Sequence, residues 1–221
     1  MKVFFKQVIY AVIFVCLSVS VAFGQSQAYK TGLKKYVTQF NAAKSKSEFA
    51  KIAPGFETLA LSEKKEWLAY YYAGLCHALV AFEASKTEAD AICGKGDKLA
   101  KLADSLSPAN SEIEVLKSML AAARILVNEK KRGQKYGGLA TKHANAAIKL
   151  NEANPRGYLL KGRALLYTPE VFGGGSKKAK PVLEKSLEKF KAFKPQAEYY
   201  PEWGKEEAEK ELKNISNNEK K

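Results

Sequence analysis

Two histidines, His77 and His143, and three cysteines, Cys16, Cys76 and Cys93, are the side chains of this chain most suited to nucleophilic, acid–base or metal chemistry. His77 lies in the run WLAYYYAGLCHALVAF without an acid within four residues, so a packed histidine with one hydrogen-bond partner competes there with a general base. His143, in ATKHANAAIKL, has no nucleophile or acid spaced to it. HExxH, GxSxG and phosphate-loop signatures do not occur. The acids fall in lysine-rich contexts such as EKSLEK and KEEAEKELK, which make i,i+4 surface pairs and not the paired carboxylates of a glycosidase. No catalytic residue is assigned, and neither a metal nor a nucleotide cofactor is expected. Two isolated histidines and two cysteines beyond the leader do not make a four-ligand zinc site without carboxylates.

Cys76 and Cys93 can do one other thing, which is to bond to each other. Sixteen residues separate them, and a helical hairpin turning near Ser85 would set both at similar height on facing helices. Two buried thiols are the competing reading, since Cys76 sits in an intensely apolar run where a thiol behaves as a small hydrophobe. A second feature is the loop PEVFGGGSKK. Gly173, Gly174 and Gly175 can turn tightly and expose amides, Ser176 can cap the next helix, and Lys177 and Lys178 stand beside them. Such a loop can hold a phosphate, sulfate or carboxylate, or it can simply be a helix-to-helix crossover. Phe172 is expected to tuck against the hairpin and leave solvent.

The elements that must position these residues begin after a leader. MKVFFKQVIYAVIFVCLSVSVAFG has a basic start, an uncharged stretch from Val8 to Phe23, and small residues at Ala22 and Gly24. Residues 1–24 therefore read as a cleaved secretory signal peptide, with an uncleaved anchor as the alternative. Cleavage would leave 197 residues with a charge of +12, placed in the periplasm or secreted, without a transmembrane segment. Nucleic acid is excluded as a partner by export and by lysines spread along the chain instead of gathered into a block with aromatics.

The rest reads as helices. Tyr29, Leu33, Tyr36 and Phe40 recur at helical spacing, as do Phe49, Ile52, Phe56 and Leu59, with a kink or fresh start expected at Pro54. Ser62 is the expected cap of a helix through Trp67–Phe82, whose sixteen residues carry no Asp, Glu, Lys or Arg and so belong at the centre of a multi-helix protein. Further helices are expected near 88–106, 111–129, 137–150, 155–167, 177–193 and 203–215, within one domain over 25–213. The polar tail 214–221 is expected to fray.

ADSLSPANSE (103–112) and AIKLNEANPR (147–156) align, so that Ala103 and Ala147, like Leu106 and Leu150, are 44 residues apart. A period of this size indicates stacked helical hairpins. With Gly74, Ala103 and Pro108 in one unit, Ala140, Ala144 and Ala147 in the next, and Gly162 and Ala179 in a third, the chain resembles the tetratricopeptide repeat family. It is most similar to secreted Bacteroidetes-type members, through EWLAYYYAGLC, NPRGYLLKGRALLYTPEVFGGG and FKPQAEYYPEWGKEEAE. The resemblance implies an all-α, right-handed superhelical stack of antiparallel hairpins with lengthened helices and loops, and a concave groove for peptide. Groove positions then fall on Tyr70, Tyr71, Tyr158, Arg163 and Tyr167, while of the family's carboxylate-clamp positions only Arg163 is suitable. Two functions remain open. One is a non-catalytic interaction or scaffolding module holding a cell-envelope or periplasmic protein or peptide. The alternative is a periplasmic solute-binding helical protein that assists uptake, with an enzyme as the least favoured class.

Overall fold

A computed structural model describes residues 27–219; the expected signal peptide lies outside them. The described residues form nine α-helices. These are α1 (27–42), α2 (Lys46–Ser62), α3 (Trp67–Phe82), α4 (Ala89–Leu106), α5 (Ser111–Ile125), α6 (Glu129–Leu150), α7 (Pro155–Leu166), α8 (Ser176–Ala192) and α9 (Lys205–Asn218). A 3₁₀ turn at Glu170–Phe172 joins α7 to α8. Helices adjacent in sequence pack side by side, and α5 also touches α3 and α7.

The repeated Ala-Asn pair works at helix starts. Asn110 and Asn154 cap α5 and α7, each side chain accepting from the amide two residues on, and Asn128 caps α6. Each cap satisfies a donor that the helix cannot satisfy itself. Seryl hydroxyls then tie one helix to another: Ser111 donates to the Ala147 carbonyl, Ser118 to Ala140 and Ser186 to Pro155. Ala103, Ala140, Ala144, Ala147 and Ala179 are buried, because only a small side chain fits where helices approach this closely.

Helix α3 is the centre. Twelve of its sixteen residues are buried, packed between α2, α4 and α5. Gly74 faces Gly96 of α4, and a methyl group on either would meet the side chain of Leu116 or Leu120. A smaller core of Leu159, Ala179, Leu183, Phe190, Ala208 and Ile215 lies among α7, α8 and α9, and Trp203 packs against both cores.

The tetratricopeptide expectation is corrected. Helices α3, α5 and α7 begin at Trp67, Ser111 and Pro155, a 44-residue spacing, against about 34 in that family. Units of a repeat stack touch only their neighbours, whereas the segment after α8 returns to α3. There the Tyr72 hydroxyl donates to the Tyr199 carbonyl (3.0 Å) and the Trp203 indole donates to the Tyr71 hydroxyl (3.0 Å). Smaller departures have local causes. Helix α2 runs through Pro54 because Ile52, Ala53, Phe56 and Leu59 on either side are buried. Ser62 ends α2 and does not cap α3, whose N-cap is Glu66 and makes no side-chain capping bond. Helix α9 continues to Asn218, a few residues past the helix end expected near 215, because Ile215 is buried.

Candidate functional site

The residues expected to line one groove are divided between two places. Tyr70 and Tyr71 lie in the core, and Tyr71 is fully buried beside an ion pair that joins α5 to α7. Arg156 donates from Nε and Nη2 to the Glu112 carboxylate at 2.7–3.1 Å, and both side chains are buried. Asn154 Nδ2 adds a bond to Glu112 Oε1 (2.8 Å), and the Arg156 guanidinium lies 4.6 Å from the Phe193 ring centroid. Burial, followed by the Glu112 charge, pushes the Tyr71 hydroxyl well above its ordinary range. This network joins α5 to α7 and, through the bond from Arg156 Nη1 to the Trp203 carbonyl (3.3 Å), ties the C-terminal segment to the centre.

Tyr158, Arg163 and Tyr167 lie on α7 and its end. The Tyr167 hydroxyl donates to both oxygens of Glu211 (3.1 Å), and Arg163 pairs with the same carboxylate at 3.2 Å. Arg163 is thus already neutralised. In the neighbouring loop the amides of Gly173, Gly174 and Gly175 donate to the carbonyls of Glu170, Pro169 and Leu165. These three amides are therefore taken by the chain's own carbonyls. Ser176 is the first residue of α8, whose N-cap is Gly175, and Lys178 Nζ donates to the Gly173 carbonyl (3.0 Å). Phe172 does not tuck in; it is 79% exposed. Cys76 and Cys93 are buried free thiols, and burial raises both, Cys93 to about 11.

His77 Nε2 meets Glu57 of α2 at 2.6 Å, a partner twenty residues upstream. His143 leads to a more open place. Helices α4, α5 and α6 enclose a cleft of about 360 Å³ lined by Asp97, Lys117, Ala121, Arg124, Lys135, Tyr136, Leu139 and His143. The Tyr136 ring has Lys135, Arg132 and Arg124 at 5.3, 5.8 and 6.0 Å from its centroid. Arg124 and Arg132 reach back to Asp97 and Asp90 of α4, at 2.6 and 2.7 Å. At the other end, Glu114 accepts from His143 Nδ1 (2.7 Å) and from Lys117 (2.7 Å), and Lys117 also reaches Asp104 (3.0 Å). Burial alone would raise the Glu114 carboxyl, but hydrogen bonds from His143 and Lys117, with their charges, outweigh it and hold the group at about 2. The carboxylate thereby fixes the imidazole by one nitrogen and leaves Nε2 without this partner, the arrangement that orients histidine as a metal ligand.

The cleft combines cations, an aromatic face, apolar side chains and an oriented imidazole. Sequence reasoning singled out His143 alone of its lining. The signal that was present is RGQKYGG, where basic residues flank a tyrosine on a helix, but its partners on α4 and α5 lie 12 to 42 residues upstream and only the packing brings them together. Among the described residues there is no group of three or more His, Cys, Asp or Glu placed to hold a bare metal ion. No described helix is long and apolar enough to cross a membrane.

No protein-family model matches the chain, nor does any curated protein. Among solved structures, the HusA haemophore from Porphyromonas gingivalis is similar, with a TM-score of 0.79 and 36% identity over 86% of this chain and 94% of the relative's. This relationship replaces the tetratricopeptide resemblance: the all-α fold is that of HusA. It also carries class and compartment. The protein is a non-catalytic helical binding protein, periplasmic or secreted, whose partners lie outside the cytoplasm, closer to the solute-binding alternative than to a scaffold. On identity and coverage together, the chain belongs to the family of the HusA haemophore.

Proposed function

We propose that the protein captures haem outside the cytoplasm and holds it in the cleft between α4, α5 and α6. The observation that carries this reading is the 36% identity to a haemophore across nearly the whole of that chain. The chemistry of the cleft supports it. Haem is a flat apolar ring with two propionates and a central iron, and it is cargo here, not a resident cofactor. Leu139, Ala121 and the Tyr136 ring offer apolar and aromatic surface for the macrocycle. Lys135, in no ion pair among the described residues, offers a charge-assisted hydrogen bond to one propionate, and Arg124 and Lys117 would reach the other by exchange from Asp97 and Asp104. His143, held at Nδ1 by Glu114, offers Nε2 to the iron.

Absorbance titration with haem tests the reading. The expected result is saturation at one equivalent with a displaced Soret band. Replacing Arg124 and Lys135 together by Ala is expected to weaken binding by about tenfold or more, the range for losing charged hydrogen bonds. His143→Ala is expected to alter the shape of the bound Soret band. Absence of a saturable spectral change would overturn the proposal, and unchanged affinity and spectra in these variants would overturn the site.

A further inference from the structure

The α7–α8 connection is built to hold two large apolar side chains in water. Val171 is 85% and Phe172 79% exposed, the highest values among the large hydrophobic residues of the described chain. Left to itself, a flexible loop would fold such groups against the nearest apolar surface. This loop does not have that freedom. The amides of Phe172, Gly173, Gly174 and Gly175 donate to the carbonyls of Pro169, Glu170, Pro169 and Leu165 at 2.8–3.2 Å. Gly173 and Gly175 take φ values of +87° and +100°, a backbone conformation that side chains disfavour. Gly174 is packed so closely that a methyl group there would collide with the Thr168 carbonyl. Thr168 Oγ1 fastens the start of the loop to the Ala164 carbonyl (2.7 Å), and Lys178 Nζ fastens its tip at the Gly173 carbonyl (3.0 Å).

A rigid turn presenting an apolar pair outward is preorganised for a partner, because the cost of ordering it is met before binding. Charge selects the partner. Lys177 and Lys178, both exposed, follow the glycines and Ser176 after the tip, while Lys180 beyond them is paired with Glu219 (2.9 Å). The exposed Glu170 is the only acid between Tyr167 and Lys180, so the loop is locally basic on a chain of net charge +14. Apolar side chains flanked by lysines match the interface of an anionic bilayer, where the former enter the acyl boundary and the latter meet the phosphates.

We propose that the Val171–Phe172 tip with Lys177 and Lys178 is a docking point for anionic phospholipid membrane surfaces, separate from the α4–α6 cleft and independent of what that cleft binds. The contact is peripheral and reversible, as two apolar side chains and a few lysines are too little for permanent anchoring. It would confine an exported protein to the envelope surface instead of releasing it to the bulk.

Co-sedimentation with vesicles tests this, using the mature chain with phosphatidylglycerol–phosphatidylcholine or pure phosphatidylcholine vesicles. Wild type is expected to sediment with the anionic vesicles, weakly with the neutral ones, and less as salt rises. Phe172→Asp is expected to reduce partitioning about tenfold or more. Lys177→Glu is expected to reduce it at least fivefold, roughly the contribution of one lysine at such a surface. Both positions are exposed, and an unchanged far-ultraviolet spectrum would verify folding. Haem titration of the same variants is expected to match wild type. Equal sedimentation of wild type and Phe172→Asp would overturn the proposal, as would failure of wild type to sediment with anionic vesicles. Loss of haem affinity in Phe172→Asp would also overturn it, by assigning the tip to ligand capture.

Discussion

Glu112 and Arg156 show how a buried charge pair is made tolerable. The carboxylate receives Arg156 Nε and Nη2 and Asn154 Nδ2, so its desolvation is met by several charge-assisted bonds. Arg156→Met removes the cation and leaves the carboxylate buried, and is expected to cost about 3–5 kcal/mol. Urea unfolding checks it, and Glu112→Leu combined with Arg156→Met is expected to regain a good part of that loss. Glu114 makes a pH-dependent contribution of known sign. Its carboxyl falls from an ordinary 4.5 to about 2 in the folded protein, so its stabilisation is complete above 4.5 and lost as pH drops towards 2. The loss is expected to be on the order of 2 kcal/mol, allowing for solvent screening, and Glu114→Gln should abolish this part of the acid dependence. Denaturation midpoints measured at pH 6, 4 and 3 would show it. Glu112 and Arg156 each stand two places beyond a capping Asn of the repeat, 44 residues apart, but only the packing of α5 on α7 shows them to be partners. Glu114 is equally unmarked, because its bond to His143 spans α5 and α6 and depends on how the two helices rotate against each other.

At the scale of elements, helix existence followed the periodicity and helix ends did not. Trp67–Phe82 was legible as a central helix from its lack of charge alone, and it is buried on both flanks. Leu75, fully buried there, should cost about 2–5 kcal/mol when replaced by Ala, and a cost under 0.5 kcal/mol in urea unfolding would make this helix peripheral. The start of α6 was placed eight residues late, because EKKRGQKY lacks an apolar stripe and owes its helicity to the Asn128 cap and to contact with α5. The GGG loop is the tight helix-to-helix crossover that was one of its two readings: backbone amides are anonymous in a sequence, and here those of Gly173, Gly174 and Gly175 are consumed locally. Gly174→Ala is expected to distort the turn and lower stability by about 2 kcal/mol or more, since the added methyl meets backbone and not a movable side chain. The same substitution at the open position Gly133 is expected to be neutral or slightly stabilising, and thermal melts of the two variants would compare them.

Across the whole molecule, repeat period and leader pointed to stacked hairpins and export, and the identity with HusA corrects the family while agreeing with the compartment. The misassignment has a physical origin. Glycine and alanine at helix crossings mark any close helix pairing, so Gly74, Gly162, Ala144 and Ala179 carry no family by themselves. What separates this fold is the return of Tyr199 and Trp203 to α3, a contact over more than 120 residues that no local pattern encodes. The cleft has the same character, assembled from three helices with one sequence-visible member. Haem capture in this cleft is the central proposal. The most direct measurement is two-dimensional amide NMR of the mature protein with and without one equivalent of diamagnetic zinc protoporphyrin. Shifts are expected to concentrate at Asp97, Lys117, Arg124, Tyr136 and His143, with the Tyr167–Lys178 region unmoved. Shifts centred on that region, or spread over the surface without saturation, would contradict it.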